Sequence, residues 1–419
     1  VTPVTHHANA STCAAPASHT PSAQTLDEVT KAASALPWPP GFALSALASA
    51  APALATELTR RLEALPDLEE RLIGPGNRAM MADNHANHFR YISSLLPDAS
   101  FDAGLAAPRT LDPAEFVATL RWVVETYLSH GFRPAYWETM LPEAMHLIAA
   151  RLPEAAEALR PWYRFMQQAV ARLAAELSED YAGQATQAEQ TGQAPPCRLD
   201  ELGQLSPLAR RYLELTLAGS RREAASLILG QAQAGHDVRG IYLDVLKPAL
   251  RALGLLWQHG RISVAEEHFT TASTQMVMSQ LFPFFQSTTR NGHTFVGCCV
   301  AGEVHEVGMR MVSDLLELDG FDTWYLGANT PDADVLSLLA QKKAAVLGIS
   351  ATMSHGLPLV ERLIRALRAD ERTSGTRVLV GGLAFARRPG LWHDLGADGC
   401  ADDAAEAVAL ARRLVMAAA

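Results

Sequence analysis

The sequence predicts a multidomain chain: an all-α N-terminal domain, a four-helix bundle, and a C-terminal α/β domain on a parallel five-stranded sheet. Three observations carry this. Apolar residues recur at helical spacing from about residue 41 to 290, broken by Gly and Pro. From residue 294 onward, short apolar runs alternate with helical ones, the mark of a parallel sheet with flanking helices. A polar stretch at 183–204, rich in Gln, Thr and Pro, reads as a linker between the halves.

A length of 419 residues fits two to four domains, and 48% hydrophobic residues supply sizeable cores. The net charge of −10 argues against direct nucleic-acid binding, which needs a basic face. No uninterrupted apolar stretch long enough to span a membrane is visible, nor a basic start with an apolar core that would mark a secretory signal. Five cysteines, Cys13, Cys197, Cys298, Cys299 and Cys400, are few and odd in number, so reduced thiols and a cytoplasmic location are expected.

In chain order, residues 1–40 read as a disordered tail rich in Ala, Ser, Thr and Pro, closed by Pro-Trp-Pro-Pro. Residues 41–182 form the helical domain. Leu44, Leu47, Leu54, Leu58, Leu62 and Leu65 lie on one amphipathic face, ended by Pro66. His85 and His88 are three apart and share a helix face. Trp122, Tyr127, His130, Phe132, Arg133, Tyr136 and Trp137 crowd together further on. Such a set makes either an ordinary aromatic core or a wrap around a flat conjugated ligand that carries carboxylates.

The bundle takes residues 205–290, with helices at about 206–218, 220–234, 237–258 and 264–287 separated by Gly219, Gly235 and Gly260. Pro248 should kink the third helix, because it removes a backbone donor. Ser263-Val264-Ala265-Glu266 is a capping box that starts the fourth helix at Ser263. Trp257, Glu267 and His268 then sit at similar height on two antiparallel helices and form one patch if the helices face each other.

The α/β domain takes residues 293–419, with strands at about 294–301, 322–326, 345–350, 376–381 and 398–400. After the first strand comes Gly302-Glu303-Val304-His305-Glu306-Val307-Gly308, where strand hands over to helix. That is the end of an open α/β sheet at which ligands bind. Glycines there let the chain bend and let a planar ligand come close. Glu303 can hold one ring nitrogen of His305 and leave the other for a metal.

This loop resembles the Asp-x-His-x-x-Gly loop of cobalamin-binding domains, with Glu303 in place of the aspartate. The Glu variant is similar to the B12-dependent photoreceptors of the CarH type. The resemblance covers about 206–412 and implies a Rossmann-like cobalamin-binding domain under a helical cap. It implies that His305 binds cobalt from below, with Glu303 and Gly308 beside it. Trp257, Glu267 and His268 would cover the upper face of adenosylcobalamin. Ser350, Thr352, Gly381 and Gly382 would line the slot for the nucleotide tail, the glycines leaving room for the base. One departure is clear: the CarH type carries a histidine directly after this Trp, and here that residue is Gln258, with His259 one further on. A step of one residue turns a side chain by about 100°, so His268 or water becomes the expected upper ligand after loss of the adenosyl group.

The N-terminal helical domain resembles that of photocobilins, which pair a B12 domain with bound biliverdin. By that resemblance His85, His88, Arg90, Tyr127, His130, Arg133 and Tyr136 are the candidate bilin-binding residues of a sensor domain. The implied protein is a light sensor without a catalytic output domain. It would act as a homo-oligomer whose assembly depends on light, or through a signalling partner. The rival readings are a corrinoid methyl carrier, a haem or redox sensor using His85 or His88, and a cobalamin storage scaffold.

Overall fold

The computed structural model describes residues 23–93, 113–191, 205–285, 289–386, 388 and 390–416. The first unit is all-helical: α1 (Ala23–Ser34), α2 (Gly41–Glu63), α3 (Arg78–Ser93), α4 (Pro113–Ser129), α5 (Pro134–Arg151) and α6 (Pro153–Thr191). One apolar core joins all six, from Val29 of α1 and Leu58 of α2 through Phe89, Phe116 and Tyr136 to Trp162 and Leu177 of α6. On α2 the leucine stripe is buried from Leu44 to Leu62 as its spacing predicts, while Leu65 falls beyond the helix end and is exposed.

Two boundaries differ from the sequence reading. Residues 23–34 are not tail but α1, because Val29 and Ala33 bury one face in the core. The prolines after it are a connector rather than a limit: Trp38 packs on Trp162, whose indole N–H donates to the Pro37 carbonyl at 2.8 Å. At the other end α6 runs to Thr191, into the segment expected as linker. Residues 1–22 with Cys13, and 192–204 with Cys197, lie outside the described residues. The expectation of no membrane-length apolar stretch also needs correction. By length and composition α2 alone among the described helices could cross a membrane. Its leucine face packs in the core of the helical domain, as in many core helices.

The second unit contains α7 (Pro207–Leu217), α8 (Arg221–Gln233), α9 (Val238–Gly240), α10 (Lys247–Gln258) and α11 (Val264–Leu281). Between α9 and α10 the chain stays helical as a π segment, Ile241–Leu246. It precedes Pro248, so the missing proline donor is absorbed by local widening of the helix. The capping box is present: Ser263 Oγ accepts from the Glu266 N–H at 3.2 Å, and Glu266 Oε2 accepts from the Ser263 N–H at 2.7 Å.

The third unit is a parallel sheet of β1 (Thr294–Cys299), β2 (Asp322–Gly327), β3 (Val346–Ser350), β4 (Arg377–Gly381) and β5 (Gly399–Ala401). Its order is β2-β1-β3-β4-β5. The intervening helices are α12 (Val307–Glu317), α13 (Asp332–Lys342), α14 (Leu357–Ala369), the short α15 (Leu383–Ala386) and α16 (Leu391–Asp394), and α17 (Ala404–Met416). Successive side chains of β1 enter different cores. Phe295 and Cys299 join α12, α17 and the second unit, whereas Val296 and Cys298 join α13 and α14. The adjacent cysteines therefore lie on opposite faces, both buried and free. In this strand order the chain reverses direction across the sheet between β1 and β3, and the crevice at their C-terminal ends is the expected ligand position.

Candidate functional site

Both loops at that crevice converge on Glu303. Its carboxylate is buried, 5% exposed, in a place where an unpaired charge would be costly. Four donors satisfy it. Oε1 accepts from His305 Nδ1 at 2.5 Å and from the His305 backbone N–H at 3.0 Å. Oε2 accepts from the backbone N–H groups of Thr352 at 2.7 Å and Met353 at 3.2 Å, just after β3. Burial pushes the Glu303 carboxyl up, but the hydrogen bonds from His305 and Thr352 outweigh it and hold it at about 2. The same bond raises the His305 imidazolium above its ordinary range against desolvation, and the Glu303 and Glu267 charges add to it.

His305 is thereby fixed by Nδ1 while its side chain stays 57% exposed, and Nε2 takes no hydrogen bond among the described residues. A neutral imidazole held on one nitrogen and open on the other is the donor arrangement a metal ligand requires. These residues fit a corrin-held cobalt on the His305 side. The flanks fit as well. Val304 is 70% exposed, and a Cβ at Gly308 would meet nothing within 4 Å. Among the described residues no group of three His, Cys, Asp or Glu could hold a metal ion without such a cofactor.

One face of α11 looks onto this loop. Glu267, Thr271, Gln275 and Ser279 follow at four-residue steps and so share a face. Gln275 Nε2 donates to Glu306 Oε1 at 3.1 Å, and Arg310 donates to Ser279 Oγ at 2.7 Å, which seats the lower half of α11 on the start of α12. Glu267 lies eight residues earlier, about 12 Å up the same helix, and acts on His305 through space. Its carboxylate is bonded to His268 Nδ1 at 2.5 Å and to Thr271 Oγ1 at 2.8 Å. Glu267 and His268 thus form a pair on the upper side, with His268 75% exposed.

Trp257 also faces a neighbour that the sequence did not suggest. Its ring lies against the helical domain, 5.3 Å from the His130 ring and 6.4 Å from Trp122. His259 turns the same way, with Nε2 3.8 Å from Glu125.

The slot residues are brought together only in part. Ser350 is 8% exposed at the end of β3, and Thr352 takes part through its backbone N–H rather than its hydroxyl. Gly381 and Gly382 are needed as glycines by their own backbone neighbours. A Cβ at Gly382 would lie 2.3 Å from the Ala351 carbonyl oxygen, and one at Gly381 2.9 Å from that of Ala401. Neighbouring backbone stands where a side chain would begin, and the φ of +101° at Gly382 is one that only glycine adopts freely. Sequence reasoning missed Met353, because a backbone donor carries no residue signature.

The seven bilin candidates do not gather around one cleft. His85 is wholly buried, bonded through Nδ1 to Thr59 Oγ1 at 2.8 Å and stacked near Tyr136. His88 Nε2 is bonded to Tyr163 OH at 2.8 Å, and Tyr136 OH donates to Asn84 at 2.9 Å. Tyr127 is buried in the same core, and its hydroxyl reaches the Met80 carbonyl at 3.5 Å. Burial pushes His85 down to about 3 and His88 down to about 4. Arg90 and Arg133 lie outside on the surface, and His130 belongs to the Trp257 contact. The helical spacing that put these residues near one another also turned the apolar ones inward and the guanidinium groups outward.

Residues 293–411 match the family model of the B12 binding domain, and residues 208–281 match a second B12 binding domain model. Dimethylamine corrinoid protein 1 of Methanosarcina acetivorans is 26% identical over 218 residues, 50% of this chain and 100% of that protein. Dimethylamine corrinoid protein 3 of the same organism is 35% identical over 118 residues, 28% of this chain and 54% of that protein. Among solved structures, the Methanosarcina barkeri monomethylamine corrinoid protein aligns with a TM-score of 0.45 at 19% identity, over 49% of this chain and 98% of that chain. The chain carries B12-binding domains, and both family matches lie after residue 207.

Proposed function

We propose that this cobalamin-binding chain is a light sensor: it holds adenosylcobalamin between His305 and the Trp257 side of the second unit, and signals by a change in packing rather than by catalysis. One observation carries the reading. The helical domain already occupies the ground beside the upper residue, with Trp122 and His130 against Trp257 and Ser129 Oγ donating to the Gln258 carbonyl at 2.6 Å. A carrier that hands a group to another protein needs that side open. A sensor needs it coupled to another part of its own chain.

Bound adenosylcobalamin supplies a cobalt–carbon bond that light can break. The chain's residues do the rest. His305 offers Nε2, and Glu303 fixes the ring and fastens it to the loop after β3. Val304 and Gly308 leave an open floor for a flat ligand. Glu267 and His268 offer hydrogen bonds above, and Trp257 offers an apolar face. Apolar contact on an indole is worth a few kcal/mol, enough to tilt a two-state packing of helical domain on cap, or of one copy on another. In this reading the output is a light-dependent change of homo-oligomer or of contact with a signalling partner.

The test is an absorption spectrum of the protein loaded with adenosylcobalamin in darkness and after green light. The reading expects conversion to a new cobalt spectrum together with a shift in size on gel filtration. A light-stable protein that stays the same size would rule it out. The second reading is a corrinoid methyl carrier, supported by likeness to proteins named for dimethylamine. It expects tight methylcobalamin binding and no change of size in light. A bilin or haem is not part of this reading: His88 is bonded to Tyr163, and His85 is wholly buried and held through Nδ1 by Thr59. A far-red band on adding biliverdin would reinstate the bilin.

A further inference from the structure

Consecutive residues after β3 divide between two buried carboxylates. Thr352 and Met353 give their backbone N–H groups to Glu303 Oε2, at 2.7 and 3.2 Å. Ser354, the next residue, gives its hydroxyl to Glu115 Oε1 of α4 at 2.7 Å. Here the chain passes from extended backbone at Met353 into a single helical turn, Ser354–Gly356, which the Gly356 N–H closes on the Met353 carbonyl at 2.9 Å. His355 in that turn feels both sides. Burial above all pushes its imidazolium down to about 4, with the Arg90 charge of α3 adding to this and the Glu303 charge opposing it. The turn thus lies between the helical domain and the group that holds His305. Glu115 is an unusual choice for docking a helix on a loop. It is 6% exposed, with Arg388 3.2 Å away. An apolar contact would hold the two as firmly, because a buried charge gives up about as much hydration as its partners return. What a carboxylate adds is direction, since it takes a hydroxyl at a defined distance and angle.

We propose that Glu115 is a positioning residue for the lower cobalt ligand. Through Ser354 it fixes the Thr352 and Met353 amides, which orient Glu303 and so the His305 ring. The helical domain thereby sets how firmly His305 holds cobalt. Outer partners of a metal ligand act in this way, by fixing ring orientation rather than by touching the metal. This rests on His305 as the cobalt ligand and not on the response to light.

The test uses the full chain with its histidines labelled by the heavy nitrogen isotope, loaded with hydroxocobalamin and reduced to cobalt(II). In the electron paramagnetic resonance spectrum a labelled histidine splits each cobalt line into a pair, whereas the cofactor's own base splits it into a triplet. Wild type should show the pair. Ser354→Ala should lose a large part of it and bind hydroxocobalamin up to about tenfold more weakly, the lower end of what outer partners contribute. Ser354→Thr, which keeps the hydroxyl, should restore both. Ser129→Ala breaks the other contact of α4 and should leave the pair whole. Thermal melting of the apoprotein checks each fold, and Ser354→Val is set against Ser354→Thr if Ser354→Ala does not fold. An undiminished pair without the Ser354 hydroxyl, or an equal loss in Ser129→Ala, overturns the positioning role and leaves His305 as the ligand. A wild-type protein that shows no pair overturns the ligand assignment itself, before any substitution is made.

Discussion

His305 and Glu303 share one task, and neither does it alone. The imidazole needs a fixed tautomer, and the buried carboxylate needs donors. Each meets the other's need at 2.5 Å, and the Thr352 and Met353 amides complete the carboxylate. His305→Ala should lose most cobalamin affinity. Glu303→Gln keeps an acceptor but loses the charge, and should weaken binding about tenfold, the lower end of what such supporting partners contribute. Equilibrium titration with hydroxocobalamin measures both. A Glu303→Gln protein that binds like wild type would show the carboxylate to be structural only.

At the scale of elements, the π segment and α12 share an apolar core and one half-buried polar pair. Tyr242 OH donates to Asp314 Oδ2 at 2.8 Å. Burial pushes the Asp314 carboxyl from 3.8 up to about 6, against the lowering by Tyr242 and Arg310. A carboxyl with a raised value favours the folded state when protonated. Its contribution is fully present below pH 3.8 and is lost as pH rises through about 6. A shift of this size corresponds to at most about 3 kcal/mol. Asp314→Asn should therefore flatten the pH dependence of stability between these two values, read by urea denaturation at several pH values. An unchanged slope would mean that Asp314 is hydrated in solution.

At the scale of the whole molecule, α4 is a strut. Near its start Glu115 accepts from Ser354 Oγ at 2.7 Å and pairs with Arg388 at 3.2 Å, both from loops at the carboxyl end of the sheet. At its end Ser129 grips the turn of the second unit. The two contacts lie fourteen residues apart on one helix, about 21 Å. One element of the helical domain thus contacts both the loops at the carboxyl end of the sheet and the turn after α10. The lower contact is testable. The Glu115 side chain is 4% exposed, and removing its cationic partner leaves a buried charge. Arg388→Met should destabilise by about 3 kcal/mol, and adding Glu115→Gln should recover much of that. Denaturant midpoints of the single and double variants decide, and a double variant no better than Arg388→Met would show that the charge was not the cause.

What lay in local pattern was legible. The sheet strands, the capping box and the Glu303–His305 pair all depend on residues close in sequence, where periodicity and spacing speak directly. α1 was not, because two buried residues in a short helix give little period and the docking decides. The surroundings of the bilin candidates were not legible either, because helical spacing says which residues share a face, not which way that face turns. By itself, then, the sequence determined the B12-type loop, its supporting carboxylate and the α/β frame under it. Only the tertiary structure decided that the carboxylate is completed by amides 49 residues away. It alone decided that Trp257 looks toward α4 and that a side chain at Gly382 would strike the Ala351 carbonyl. The physical reason is the same in each case: these are contacts between backbones and ring faces far apart in the chain, chosen by how whole elements pack and written in no single motif.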